Sequence, residues 1–135
     1  MDENSRTIHI NQESDVTAAF VQAGDLAVRL GFDARDKNGI MTVVAELARN
    51  VIKYARNGRV SLTPVSSGGR SGVEIVVVDR GPGIADVELA MSDHFSTGKT
   101  LGLGLPGARR LMDEFTITSA PGAGTRIVAR QWTRR

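Results

Sequence analysis

Three short segments, far apart in the chain, carry the residue types that phosphate chemistry requires. Glu46-Leu47-Ala48-Arg49-Asn50 sets a carboxylate and a carboxamide four positions apart. On a helix that spacing puts both side chains on one face, about 5–6 Å apart at Cβ. A carboxamide oxygen is a hard ligand suited to Mg2+. A carboxylate one turn away can accept the proton of an attacking hydroxyl. Asp79-Arg80-Gly81-Pro82-Gly83 follows the apolar run Ile75 to Val78. An acid at the C-terminal end of a buried strand sits where open α/β sheets bind ligands. Its carboxylate can take the exocyclic amine of a purine, and Gly81 and Gly83 allow close backbone approach. Gly102-Leu103-Gly104-Leu105-Pro106-Gly107 is a glycine-rich loop leading into a helix, an anion cradle by its exposed N–H groups.

Each segment also has an ordinary structural explanation. Glu46 and Asn50 suit a solvated helix face, with Glu46 paired to Arg49. Asp79 to Gly83 is turn chemistry. Gly102 to Gly107 matches G-x-G-x-x-G, but the dinucleotide version of that motif needs a strand directly before it. Phe95-Ser96-Thr97-Gly98-Lys99-Thr100 does not read as a strand. Gly98-Lys99-Thr100 resembles the end of a P-loop, yet position 93 is Asp, not the first glycine of G-x-x-x-x-G-K-[ST]. A Walker site is therefore rejected. Lys99 can still reach a terminal phosphate from a lid, or be a plain solvated lysine. Thr125 opens the last strand and can meet a purine beside Asp79, or serve only strand propensity.

The elements that must position these residues follow from hydrophobic period. Arg6 to Ile10 alternates and reads as an edge strand. Asp15 to Leu30 repeats apolar residues at three and four, an amphipathic helix capped by Ser14 or Asp15 and stopped by Gly31. A second helix is expected from Asp36 to Tyr54, with Ile40, Val43, Val44, Leu47, Val51 and Tyr54 as its stripe. Arg59–Val65 and Val73–Val78 read as strands joined by a Ser/Gly-rich loop from Ser66 to Ser71, the second strand buried on both faces. Asp86–Met91 and Pro106–Met112 read as short helices; Phe115–Ser119 and Thr125–Trp132 read as the last strands. The expected fold is α/β: a two-layer sandwich with a mixed sheet and helices on one face.

At 135 residues the chain suits one domain, 1–135, with a core of its own. There are no cysteines, which excludes disulfides and thiolate metal sites and fits a reducing, cytoplasmic setting. Met1-Asp2-Glu3-Asn4 is no signal peptide, and no apolar run approaches a membrane span. The net charge is +2, from 17 basic and 15 acidic side chains, with the basic residues scattered apart from Arg109-Arg110 and Arg130, Arg134 and Arg135. Aromatics make up 4% of the chain, too few for a stacking surface, so nucleic acid is not an expected partner.

Taken in order, Glu46…Asn50, Asp79-x-Gly81-x-Gly83, Gly102-x-Gly104 and Gly122-x-Gly124-Thr125 resemble the Bergerat (GHKL) ATP site. That superfamily takes in gyrase, Hsp90 chaperones, histidine kinases and MutL. Within it the chain is most similar to the small serine/threonine kinases of the anti-sigma and stressosome type, of which RsbT is the switch-kinase example. The strings Ala45–Asn50, Asp79–Ile84, Phe95-Ser96-Thr97, Gly104–Gly107 and Arg110–Phe115 carry this likeness, which spans roughly Ile8 to Trp132. The resemblance implies ATP and Mg2+ as cofactors, Asn50 as the Mg2+ ligand and Glu46 as the general base. It implies Asp79 on adenine with Gly81, Gly83, Ile84 and Thr125 beside it. Lys99, Thr100, Leu101, Gly102, Leu103 and Gly104 would line the phosphates in a lid. It further implies phosphorylation of a STAS-domain partner and, on release, activation of a PP2C-type phosphatase. The alternative is an anti-sigma factor of the RsbW or SpoIIAB kind, which sequesters a sigma factor and phosphorylates an anti-anti-sigma STAS protein. A metabolic enzyme is the third class, and no second pocket signature supports it. His9 and His94 fall in an expected strand and loop, against a complete histidine kinase. No transducer segment follows, against gyrase- or MutL-like ATPases.

Overall fold

The computed structural model of the chain describes residues 4–84, 87–91 and 104–134. The element order is β1 (Arg6–Ile10), α1 (Glu13–Arg29), α2 (Ala34–Tyr54), β2 (Gly58–Ser67), β3 (Arg70–Asp79), α3 (Val87–Ala90), α4 (Gly104–Leu111), β4 (Glu114–Ser119) and β5 (Thr125–Trp132). The five strands form one sheet in the order β1-β2-β3-β5-β4.

Every ladder in that sheet is antiparallel, so the expected mixed sheet is corrected. The reason lies in where β5 goes. The crossover from β3 through α4 leaves β4 running in the same direction as β3. Strand β5 then returns between them and pairs with both, so no parallel ladder forms. Similarly, two helices intervene between β1 and β2, and the second brings the chain back to pair antiparallel.

Local signals set the helix ends. The Asp15 carboxylate reaches back to the N–H groups of Asn11 and Gln12, at 2.9 and 3.1 Å. Helix α1 thus starts two residues before the expected Asp15, which caps from inside the first turn. Gly31, at φ +87°, ends it, and the Phe32 N–H donates to the Ala27 carbonyl. Asp33 caps α2 by accepting from the Asp36 N–H at 2.8 Å. The Ser66–Ser71 loop shrinks to Gly68-Gly69, both at positive φ, a two-residue turn that lets β2 and β3 run on.

Helices cover one face of the sheet. Ile8 and Ile10, Val60 and Leu62, Val73, Ile75 and Val77, and Ile127 and Ala129 point into this layer, where they meet Leu26, Ile40, Val43, Leu47 and Val51. Each fully buried Val, Leu or Ile among them contributes about 1.5–3 kcal/mol. Strand β3 is buried only on this face; Glu74, Val76 and Val78 on the other are half-covered, which corrects the two-sided burial expected for it. An antiparallel sheet tolerates one face toward water. On that open face Arg130 bridges Glu74 and Glu114, at 2.8 and 3.0 Å. The Trp132 ring lies over Gly72, where a Cβ would meet the ring at 2.6 Å.

Candidate nucleotide site

One row of residues crosses the helix-covered face at the sheet's end: Gly58 opposite Asp79, Asp79 opposite Thr125, and Thr125 opposite Ser119. Four strands that begin or end here bring together residues up to 67 positions apart in sequence (58 to 125). Asp79 Oδ1 accepts the Gly81 N–H at 2.9 Å, which closes a tight turn and fixes the carboxylate. Among the described residues, Asp79 Oδ2 receives no hydrogen bond. It is an open acceptor on the inner face.

The glycines around Asp79 mark places where backbone meets backbone. A Cβ on Gly81 would lie 2.6 Å from the Ala55 Cβ, so this turn sits against the end of α2. Gly124 has φ +74°, and a Cβ there would lie 2.2 Å from the Asp79 carbonyl oxygen. Gly83 has φ +80°, and a Cβ there would overlap the Ala120 carbonyl oxygen in the same way. The Gly122 N–H donates to the Pro82 carbonyl at 2.7 Å. Residues 79–84 and 120–125 are thus clamped as one unit.

Ser119 is the hub of that unit, and it is absent from the residues singled out in sequence. Its Oγ accepts the Ile84 N–H at 2.8 Å, donates to the Gly124 carbonyl at 2.8 Å, and lies 2.9 Å from Thr125 Oγ1. With its single hydrogen on Gly124, Ser119 takes the hydrogen of Thr125 as well. Thr125 then presents free lone pairs beside Asp79. A signal for Ser119 did exist. Phe115 and Ile117 set a period of two on β4, and Ser119 is the next inward position. A polar residue on an apolar face at a strand end is a candidate for a hydrogen-bonded role.

Helix α2 supplies the second wall. Val51 touches the site where a Gly58 Cβ would stand, at 2.9 Å. One residue before Val51 is Asn50, half-buried, and one turn earlier is Glu46, 4% exposed. Among the described residues neither side chain makes a hydrogen bond or ion pair, so the Glu46–Arg49 salt bridge is not formed. An ionisable side chain this buried without a partner is rare. None of its oxygens is sealed from solvent and unsatisfied. The carboxylate oxygens of Glu46 therefore keep a small contact with solvent. Leu47 packs inward, while Glu46, one residue before it, sits at the margin of the buried stripe.

Helix α4 packs along α2 through Gly107 and Ala108, both buried. It begins at Gly104, φ +67°, two residues before the expected Pro106, and proline is accommodated in the first turn. Lys99, Thr100, Leu101, Gly102 and Leu103, expected in the lid, lie outside the described residues, as do Phe95-Ser96-Thr97 and His94. No group of three or more His, Asp or Glu side chains among the described residues could hold a metal by itself. A divalent ion here would need a ligand's oxygens to complete its shell, as Mg2+ commonly does.

This geometry has known counterparts. Residues 35–134 match the family model of histidine kinase-, DNA gyrase B- and HSP90-like ATPases. The chain is 43% identical over 127 residues to the serine/threonine-protein kinase RsbT of Bacillus subtilis, covering 94% of this chain and 96% of that one. It is 32% identical over 94 residues to the anti-sigma F factor of Thermoanaerobacter sp., covering 65% of this chain and 64% of that one. Among solved structures it superposes on the RsbU and RsbW domains of a Mycobacterium tuberculosis protein with a TM-score of 0.65 at 18% identity, over 96% of this chain and 33% of that one. The mycobacterial sensor histidine kinase MprB follows with a TM-score of 0.56 at 18% identity, over 96% of this chain and 97% of that one. These structural matches bear on the fold; the family model and the RsbT identity bear on the family. The chain belongs to the histidine kinase-, DNA gyrase B- and HSP90-like ATPase family, as an ATP-dependent serine/threonine kinase of the RsbT type.

Proposed function

We propose that this chain, acting as a single cytoplasmic domain, transfers the γ-phosphoryl group of ATP to a serine or threonine on a STAS-domain partner. The observation that carries the reading is Glu46: a side chain only 4% exposed and without a partner among the described residues, one helical turn from the Asn50 carboxamide, which likewise has none there, on the helix that walls the Asp79 row. In this reading Asp79 Oδ2 accepts the adenine amine, and Thr125 offers a second acceptor beside it. Gly81, Gly83 and Ile84 hold the backbone that faces the ring. Lys99, Thr100, Leu101, Gly102, Leu103 and Gly104 line the phosphates.

Asn50 would hold Mg2+ through its carboxamide oxygen, the hard-donor type this ion takes. When bound, the ion neutralises the charge on the phosphate oxygens during transfer. Glu46 orients the acceptor hydroxyl and takes its proton as the new O–P bond forms; the bond from the γ-phosphorus to the bridging oxygen breaks, and ADP leaves. Little else is asked of the protein, since phosphoryl transfer is mostly positioning and electrostatics. Among the described residues no helix is long and apolar enough to cross a membrane, which is compatible with the cytoplasmic setting.

In the same reading the kinase, once released from its STAS partner, binds and activates a PP2C-type phosphatase. The similarity to the anti-sigma F factor favours a second reading, sequestration of a sigma factor. One experiment separates them. The protein is mixed with Mg-ATP, a STAS-domain protein and a sigma factor from the same cell. Transfer to the STAS protein is expected, lost in Glu46→Gln while nucleotide affinity stays within about twofold. Transfer by Glu46→Gln at the wild-type rate removes Glu46 as base. Tight sigma binding with or without transfer favours the anti-sigma reading.

A further inference from the structure

The open face of the sheet carries two contrasting rows. In one, Arg130 lies between Glu74 and Glu114, and its charge is fully matched. Four residues along the strands, the row is His9, Arg59, Val78, Arg126. Arg59 and Arg126 are both exposed, and among the described residues neither side chain has an ion pair or hydrogen bond. They flank Val78 one strand to either side, so the cations stand roughly 10 Å apart at the backbone, two strand spacings. Between the two rows lie Val76 and Val128, paired across β3 and β5 and half-covered. The pattern is an apolar strip bordered by two unmatched cations.

From this we infer that the open face, at Arg59, Val78 and Arg126, docks a protein partner that presents carboxylates on either side of an apolar side chain, and that this partner is the phosphatase rather than the phosphorylated protein. Charge complementarity sets the chemistry: on the same face the sheet matches Arg130 with Glu74 and Glu114, but among the described residues no acid pairs with Arg59 or Arg126. The face sets the identity. Arg59 and Arg126 adjoin Gly58 and Thr125 in sequence, and side chains alternate along a strand. The docking row therefore lies back to back with the Asp79 row, with the sheet between them. A protein seated there cannot bring a hydroxyl to a phosphate held on the helix-covered face. It is contacted without being phosphorylated, and it bears on the strands that end in Asp79 and Thr125. A second copy of this chain fits less well, because it brings the same two cations.

The inference rests on the phosphatase reading above, and its test separates the two. Affinity for the PP2C-type phosphatase and for the STAS protein, and transfer to the latter, are measured for wild type, Arg59→Glu/Arg126→Glu and Arg59→Thr/Arg126→Thr. The threonine pair keeps strand propensity, should the glutamate pair fail to fold. Phosphatase affinity is expected to fall on the order of tenfold or more in the glutamate pair and less in the threonine pair. Its salt dependence should weaken in the threonine pair. Nucleotide affinity and phosphorylation of the STAS protein should not move. Equal phosphatase binding by all three proteins overturns the docking site and leaves the phosphatase reading standing. No phosphatase binding by wild type overturns both. Loss of STAS binding instead, or a wild-type dimer that dissociates in the variants, overturns the assignment by showing another occupant.

Discussion

Removal of the Ser119 hydroxyl should loosen the whole end of the candidate site that we propose holds the purine. Ser119→Ala deletes three hydrogen bonds, to the Ile84 N–H, the Gly124 carbonyl and Thr125 Oγ1. A hydrogen bond of this kind contributes about 0.5–1.5 kcal/mol net. The site is only part-buried, so water replaces some of what is lost, and a total of about 1–3 kcal/mol is expected. For a chain of 135 residues, the unfolding entropy is about 0.28 kcal/mol/K, at roughly 2.1 cal/mol/K per residue. The melting temperature should therefore drop by about 4–11 °C. Ser119 also holds the Thr125 hydrogen, so its loss frees Thr125 to rotate, and ATP affinity should weaken on the order of three- to tenfold, from about 0.7–1.4 kcal/mol. Calorimetry with and without nucleotide reads both effects on one sample. A melting temperature within 1 °C or so of wild type, together with unchanged ATP affinity, refutes the hub role.

Three further outcomes follow from the same structure. Gly124→Ala places a Cβ 2.2 Å from the Asp79 carbonyl at a φ of +74°, so nucleotide binding should fall well beyond tenfold; an Asp79→Ala control shows whether the loss runs through that carboxylate. Arg56 holds φ +75° at the end of α2, and Arg56→Gly should raise stability by about 1 kcal/mol, seen as a higher urea midpoint with the same slope. The Asp25 carboxyl is held below its usual range by hydrogen bonds from Arg6 and Arg29, and Glu114 by hydrogen bonds from Trp132 and then Arg130. Depressed pKa values add stability that is complete above the unfolded carboxylate range and lost as pH falls through the folded values. Stability should hold from neutrality to about pH 5 and decline below about pH 4, with Asp25→Asn flattening part of that decline in a denaturant series.

Much of the fold was legible because its signals are local. Strands β1 and β5 lie at the expected residues; α1 and α2 each start two residues earlier than expected, and α1 ends one residue sooner, at Arg29. Gly31 stops α1 as its backbone freedom demands. The helix ends shifted because caps act through hydrogen bonds from one turn away, as Asp15 does. Ladder direction was not legible. A strand reads the same in parallel and antiparallel company, and only the insertion of β5 between β3 and β4 decides.

The candidate site divides in the same way. The sequence by itself determined the chemical groups: an acid and an amide at helical spacing, an acid before two glycines, and a glycine-rich approach to α4. Those follow from residue type and local period, which need no partner. Only the tertiary structure decided what each group meets. It left Glu46 without the Arg49 contact that its spacing permits, and it set Gly58, Asp79, Thr125 and Ser119 in one row. It also matched Arg130 while leaving Arg59 and Arg126, among the described residues, unmatched on the outer face. Register across a sheet joins residues that no sequence window contains, and a hydrogen bond or an ion pair exists only once that register is set.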